Sequence, residues 1–403
     1  MKKLVILANC QGGALAEMLF ESQEFASCYE LHRIPAVQSL TDGDVGNVVA
    51  KVSDADLFIY QPVKEAPGRR KEFSSDFLLG LLKPGALAIS FPSLYFDGYF
   101  PHLGSLRGLV SVLNRVHDYF IAYACALGLS EAACIDLIRS EELYSKELSV
   151  ELLERSLNNL KEREAADKID VTVSGYIEEG YRSRKMFYQF NHPDRGVFVY
   201  VASRILEKIG FDSGALKEGG SSYLDAISAP LYSSTHKNLG LRFENDPCTY
   251  SALGDRQLGL EQVVSEFYAF YKAQDLAVIK QQVLHAKPFV GEIVHRYLNG
   301  GFSAETADLG ATNVGLPQFA SELKKTGNLS ASLAQDDVEA TLRAAFSYLQ
   351  HLLRSCPVGR SVQVAGLGRF HVREGRAGVG GARVVFVPAK AAVVSRKDGG
   401  DGR

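Results

Sequence analysis

The sequence predicts an α/β body with a mostly parallel sheet and a helical insertion, followed by a small α+β domain at the C-terminus. Three observations predict it. In the N-terminal part, short continuous apolar runs alternate with apolar residues at helical spacing. Residues 298–315, rich in Gly, Ala, Thr and Ser, break that pattern and read as a linker. The charge also changes sign there: residues 1–316 hold 31 Lys+Arg against 40 Asp+Glu, residues 317–403 hold 13 against 7. With 403 residues, 46% apolar and 23% charged, the chain can bury real cores, which excludes disordered, collagen-like and coiled-coil architectures. Six scattered cysteines are too few for a disulfide scaffold, and no apolar run approaches the ~20 residues that span a bilayer.

Leu4 to Ala8 is an apolar run shorter than the ~7–15 residues of a secretory signal core, and Asn9 is too bulky for a cleavage site before Cys10. A reduced, cytoplasmic bacterial protein is therefore expected. That run reads as a buried strand, Asn-Cys-Gln-Gly-Gly as a tight turn, and Ala14, Leu15, Met18 and Leu19 as one face of a helix. Leu57 to Tyr60 and Ala86 to Phe91, the latter after Lys83-Pro84-Gly85, are the next strands. From Asp118 to about Arg163 the chain reads as helical and mostly polar, with Glu141, Glu142, Lys146, Glu151 and Glu154 exposed. Val197, Val201, Ile205 and Ile209 recur at steps of four, predicting a helix over Gly196 to Ile209 closed by Gly210. One last helix is expected over about Gln262 to Lys287, completing a body of residues 1–297. A C-terminal domain of residues 316–395 and a tail of 396–403 follow.

Cys10 stands at the end of the first strand, facing a helix N-terminus whose free N–H groups and dipole favour an anion. Such a site lowers a thiol pKa and makes a nucleophile; the alternative is a small buried apolar residue. His102 follows the third strand, at the same sheet edge as Cys10, and His192 is held extended by Pro193 just before a helix. Metal binding by Cys10, His102 and His192 lacks any close ligand pair, so no metal is expected.

Ile6 to Gln11, Tyr60-Gln61-Pro62, Phe91-Pro92-Ser93, Phe96 to Pro101, Phe187 to Pro193 and Ile209-Gly210, in this order, resemble the WcbI family of capsular polysaccharide biosynthesis. The resemblance spans about residues 1–290 and implies a coenzyme A-binding α/β domain that moves an acetyl group from acetyl-coenzyme A to a sugar hydroxyl of capsule or exopolysaccharide. It implies a site lined by Cys10, Gln11, Gln61, His102, Asn191 and His192. In that setting Cys10, His102 and His192 are the catalytic candidates, with a neutral imidazole as base. Gln11, Gln61 and Asn191 are candidate substrate-binding amides for the developing oxyanion. Lys64, Arg69, Arg70 and Lys71, the densest basic cluster of the acidic body, are candidates for the coenzyme's phosphates or else a solvated loop.

Two alternatives stand beside that reading. The opening also resembles the SGNH hydrolases, although Asn9-Cys10-Gln11 replaces their Gly-Asp-Ser and no Asp-x-x-His is present, which leaves an esterase or deacetylase using Cys10. The second is a non-catalytic scaffold that binds coenzyme A or nucleic acid. The stretches Gly366 to Phe370 and Phe386 to Lys390 resemble an HU/IHF-like DNA-binding domain, with helices near 316–326 and 338–353 and a hairpin at Gly366 and Gly368. Its long proline-tipped arm is replaced by a short Gly-rich loop from Glu374 to Arg383. The resemblance implies a homodimer; without the arm the domain either only dimerises or also binds DNA weakly and non-specifically through Arg369, Arg373, Arg383 and Lys390.

Overall fold

In the computed structural model the first apolar run forms strand β1 (Lys2–Leu7). The structure describes residues 1–219, 224–245, 248–252 and 256–298, and strand residues 361–364, 368–374 and 382–388. The chain divides into two units, Met1–Ser303 and Ala304–Arg403.

In the first unit β1 leads into α1 (Gln11–Phe20), α2 (Gln23–Cys28), β2 (Tyr29–Leu31), α3 (Val45–Ser53), β3 (Leu57–Tyr60), α4 (Ser75–Leu79) and β4 (Leu87–Ser90). The four strands form a wholly parallel sheet in the order β2-β1-β3-β4. Alternation along β1 supplies two cores: Leu4 and Ile6 pack with Ala14, Leu15 and Met18 of α1, while Val5 and Leu7 pack with Val48 and Val52 of α3. A parallel sheet covered on both faces needs apolar residues on both, which is why its strands read as continuous runs. Sequence reasoning missed β2, whose three residues are too few to show a period.

The insertion begins with the two-residue pair β5 (Leu103–Gly104) and β6 (His117–Asp118), followed by α5 (Tyr119–Ala126), α6 (Glu131–Arg139), α7 (Lys146–Ala166) and α8 (Ser174–Gly180). Its predicted polar character holds for α7 and fails for α5, where Tyr119 to Cys125 are all buried. A helix apolar all round is one that lies inside the core.

A bulged pair, β7 (Phe187–Gln189) and β8 (His192–Pro193), precedes α9 (Arg195–Lys208). Gly210 closes α9 at φ +82°, with Gly210 N–H donating to Glu207 O and Phe211 N–H to Leu206 O. After α10 (Ser233–Asn238) and the hairpin β9 (Thr249–Ala252) and β10 (Arg256–Gly259), the single helix expected over about Gln262 to Lys287 is two, α11 (Leu260–Lys272) and α12 (Leu276–Ala286), and a further helix, α13 (Pro288–Leu298), follows them. Asp275 caps α12 through Ala277 N and Val278 N, and Pro288 opens α13, two helix starts that periodicity alone passes over.

In the second unit β11 (Ser361–Val364), β12 (Gly368–Glu374) and β13 (Ala382–Pro388) form an antiparallel sheet in that order. Arg383, expected in the Gly-rich loop, lies in β13 with Arg373 as its partner in register, because pairing extends to Glu374 and Ala382. Arg369 lies in β12. Leu298, expected to open the linker, is the last residue of α13, and the rest of the linker, the two helices and Lys390 fall outside the described residues.

Candidate functional site

The strand order makes the C-terminal ends of β1, β3 and β4 neighbours, and in open parallel sheets that edge is where ligands bind. Asn9, Gln61 and Ser93 follow those three ends. Asn9 N–H donates to Gln61 Oε1 (3.0 Å) and Asn9 Nδ2 to Ser93 Oγ (3.3 Å). The buried Gln11 side chain uses all its capacity: Nε2 donates to Leu94 O (2.9 Å) and Asn191 O (2.8 Å), while Oε1 accepts from Leu94 N (2.9 Å) and Gln61 Nε2 (2.8 Å). Gln61 Nε2 also donates to Pro92 O (3.3 Å). These two amides, expected to face an oxyanion, instead tie the loops after β1, β3 and β4 to residue 191. Asn191 Oδ1 is buried without a hydrogen-bond partner.

Cys10 is the N-cap residue of α1 and exposed. It lines a cleft of about 220 Å³ with Asn9, Gly12, Gly13 and Ala16, closed on the other side by Leu31, Arg33 and Ile34 from β2 and its following loop. Gly12 is required by packing, since a Cβ there would meet Ala8 Cβ at 2.9 Å. Gly13 has open space in front of it. The expected lowering of the thiol pKa is reversed: partial burial pushes it up, outweighing the backbone N–H groups that pull it down. Cys10 is thus a neutral thiol near pH 7. Arg33 is the cation of this cleft, placed there by β2, whose three residues show no period in the sequence.

The two histidines part company. Gln11 Nε2 bonds Asn191 O, so Cys10 and His192 are the chain neighbours of two directly bonded residues. His192 is half-buried, donates from Nδ1 to Leu224 O (2.9 Å), and has its pKa lowered by burial. His102 does not share the edge with Cys10. It is enclosed in the core, stacked on Tyr232 with ring centroids 3.9 Å apart, with Tyr144 Oη 3.3 Å from Nδ1 and Asp118 Oδ2 3.7 Å from Nε2. Burial holds its pKa well below the ordinary value. Neither ring lines the Cys10 cleft.

The expected phosphate cluster is partly spent. Arg70 pairs with Glu72 (2.8 Å) and Lys64 with Asp167 (2.7 Å), while Arg69 and Lys71 are exposed. Lys64 borders a second cleft of about 650 Å³, between Ser93, Tyr95 and Asp97 after β4 and Asn159, Glu162 and Arg163 of α7. Among the described residues no group of three or more His, Cys, Asp or Glu is placed to hold a metal ion, and no helix is long and apolar enough to cross a membrane.

A family model described as polysaccharide biosynthesis enzyme WcbI matches residues 3–214. The fold is similar to a solved structure of WcbI, described as a novel polysaccharide biosynthesis enzyme in its native form without a disulfide bond between coenzyme A and one of its cysteines. The TM-score is 0.66 at 24% identity, covering 73% of this chain and 98% of that one. No curated protein matches the chain. With that model covering more than half its length, the chain belongs to the WcbI family of polysaccharide biosynthesis enzymes.

Proposed function

We propose that the cleft beside Cys10 takes the thiol-bearing arm of coenzyme A, and that the protein transfers an acyl group, acetyl in the simplest case, to a sugar hydroxyl. The observation that carries this is the exposed thiol at the end of β1, in a narrow cleft with one cation. The residues suit such a ligand. Gly13 leaves room for close approach to the backbone, the walls Ile6, Ala8, Leu31 and Ile34 are apolar like a pantetheine chain, and Arg33 offers a charge for phosphate.

The bound thioester supplies an activated acyl carbon. Transfer breaks a C–S bond and makes a C–O bond, so the hydroxyl proton needs a base and the departing sulfur needs a proton. His192 is the candidate for both, since burial keeps its imidazole neutral at pH 7 and its chain neighbour is bonded to Gln11. Cys10, protonated, sits beside the coenzyme's sulfur instead of acting as a standing nucleophile. His102 belongs to the core and is given no role in the reaction.

Oxidised coenzyme A, its symmetric disulfide, tests the placement. Exchange with Cys10 should attach one coenzyme A and release one, and the adduct should vanish in Cys10→Ser. His192→Ala should lower acyl transfer from acetyl-coenzyme A by ~10²- to 10⁴-fold while coenzyme A still binds. Absence of both adduct and coenzyme A binding in the folded protein defeats the reading.

A further inference from the structure

We propose that the cleft of about 650 Å³ between the loop after β4 and α7 is the acceptor subsite, built for a neutral, polyhydroxylated sugar. This rests on the acyl-transfer reading of the Cys10 cleft. The two clefts share a wall: Asn9 lines one, Ser93 lines the other, and Asn9 Nδ2 donates to Ser93 Oγ at 3.3 Å. A donor in the first cleft and an acceptor in the second would meet across that hydrogen bond.

The charges of the larger cleft choose its occupant. Lys64 and Arg163 are offset by Asp97 and Glu162. Lys64 is already held by Asp167 and Asp97 by Lys287, each at 2.7 Å. A polyphosphate would meet two carboxylates here. A hydroxyl group suits both signs, because it donates to a carboxylate and accepts from a guanidinium. The Tyr95 hydroxyl and the Asn159 side-chain amide make no hydrogen bond among the described residues, leaving donors and acceptors for a ligand. The floor is held in place, with Arg163 donating to Ser93 O (3.0 Å) and Tyr95 O (3.2 Å) and Asp97 N–H to Ser156 Oγ (2.9 Å). Such preorganisation lowers the ordering cost of binding. The volume is that of an ordinary small-molecule site.

The test titrates D-glucose, D-galactose and D-mannose by saturation-transfer NMR into the full chain, into Asn159→Trp, and into Tyr95→Phe. Coenzyme A is titrated into each by calorimetry. Asn159 is exposed on α7, so a bulky ring there fills the cleft without entering the core, and circular dichroism checks the fold. At least one hexose should bind, Asn159→Trp should weaken it about tenfold or more, and Tyr95→Phe should weaken it a few-fold, with coenzyme A binding unchanged throughout. No hexose binding, or binding untouched by Asn159→Trp, overturns the proposal. Loss of coenzyme A binding in Asn159→Trp also overturns it, by assigning this cleft to the coenzyme. Hexose binding blocked by Asn159→Trp in a chain that never binds coenzyme A leaves the sugar site standing and defeats the transfer reading alone.

Discussion

Helices α1 and α5 both begin at a titratable side chain, Cys10 in one and Asp118 in the other. Both side chains receive a lowering influence from backbone N–H groups, and in both the pKa ends above its ordinary value because burial outweighs it. Asp118, fully enclosed, accepts from Phe120 N and Ile121 N and from Tyr232 Oη, and its pKa still rises to about 6. A helix N-terminus therefore does not by itself make an anion. Access to solvent separates the two sites: Cys10 opens on a cleft, whereas Asp118 and its neighbour His102 are part of the core.

Four measurements break or sharpen that contrast. The largest effect belongs to the support under Cys10. Gln11→Leu leaves Leu94 N, Leu94 O, Asn191 O and Gln61 Nε2 each short of a partner, and at ~1–3 kcal/mol per stranded buried group, partly relieved by water, stability should fall by about 4 kcal/mol. Urea unfolding gives the value, and a loss under about 1 kcal/mol would mean the network is loose.

Asp118 comes next. Between the ordinary pKa of 3.8 and its own of about 6, the folded chain holds a proton that the unfolded chain has lost, so stability from this group falls as pH rises through that window. Asp118→Asn cannot lose a proton. Relative to its parent it should gain stability from about pH 4 to about pH 7, by at most about 3 kcal/mol. A pH-independent difference would show that Asp118 ionises as easily folded as unfolded.

The two glycines of α1 should behave oppositely. Gly12→Ala forces a Cβ against Ala8 and should cost about 1–3 kcal/mol in a thermal melt. Gly13→Ala meets nothing and should leave the melt within about 0.5 kcal/mol while weakening coenzyme A binding. Equal melts for the two variants would remove the close helix–strand contact from the account.

The smallest effect on stability is at Cys10 itself, where Cys10→Ala should stay within about 0.5 kcal/mol. Iodoacetamide should alkylate Cys10 more slowly at pH 7 than a free thiol and accelerate into the alkaline range, as a raised pKa requires. Faster alkylation than a free thiol at pH 7 would restore the activated nucleophile.

What the sequence determined by itself was local. Strands β1, β3 and β4, the turn at Cys10, the Gly210 stop of α9 and the change of charge after residue 316 are all written in neighbouring residues, because hydrophobic period and turn chemistry act over a few positions. The tertiary structure alone decided which polar groups were free. Gln11 is spent on residues 94 and 191, Lys64 on Asp167, and His102 is sealed beneath Tyr144 and Tyr232. Each partner is distant in the chain. The same holds for the thiol of Cys10, whose titration is set by how much protein surrounds it, and desolvation sums over every nearby atom whatever its place in the sequence.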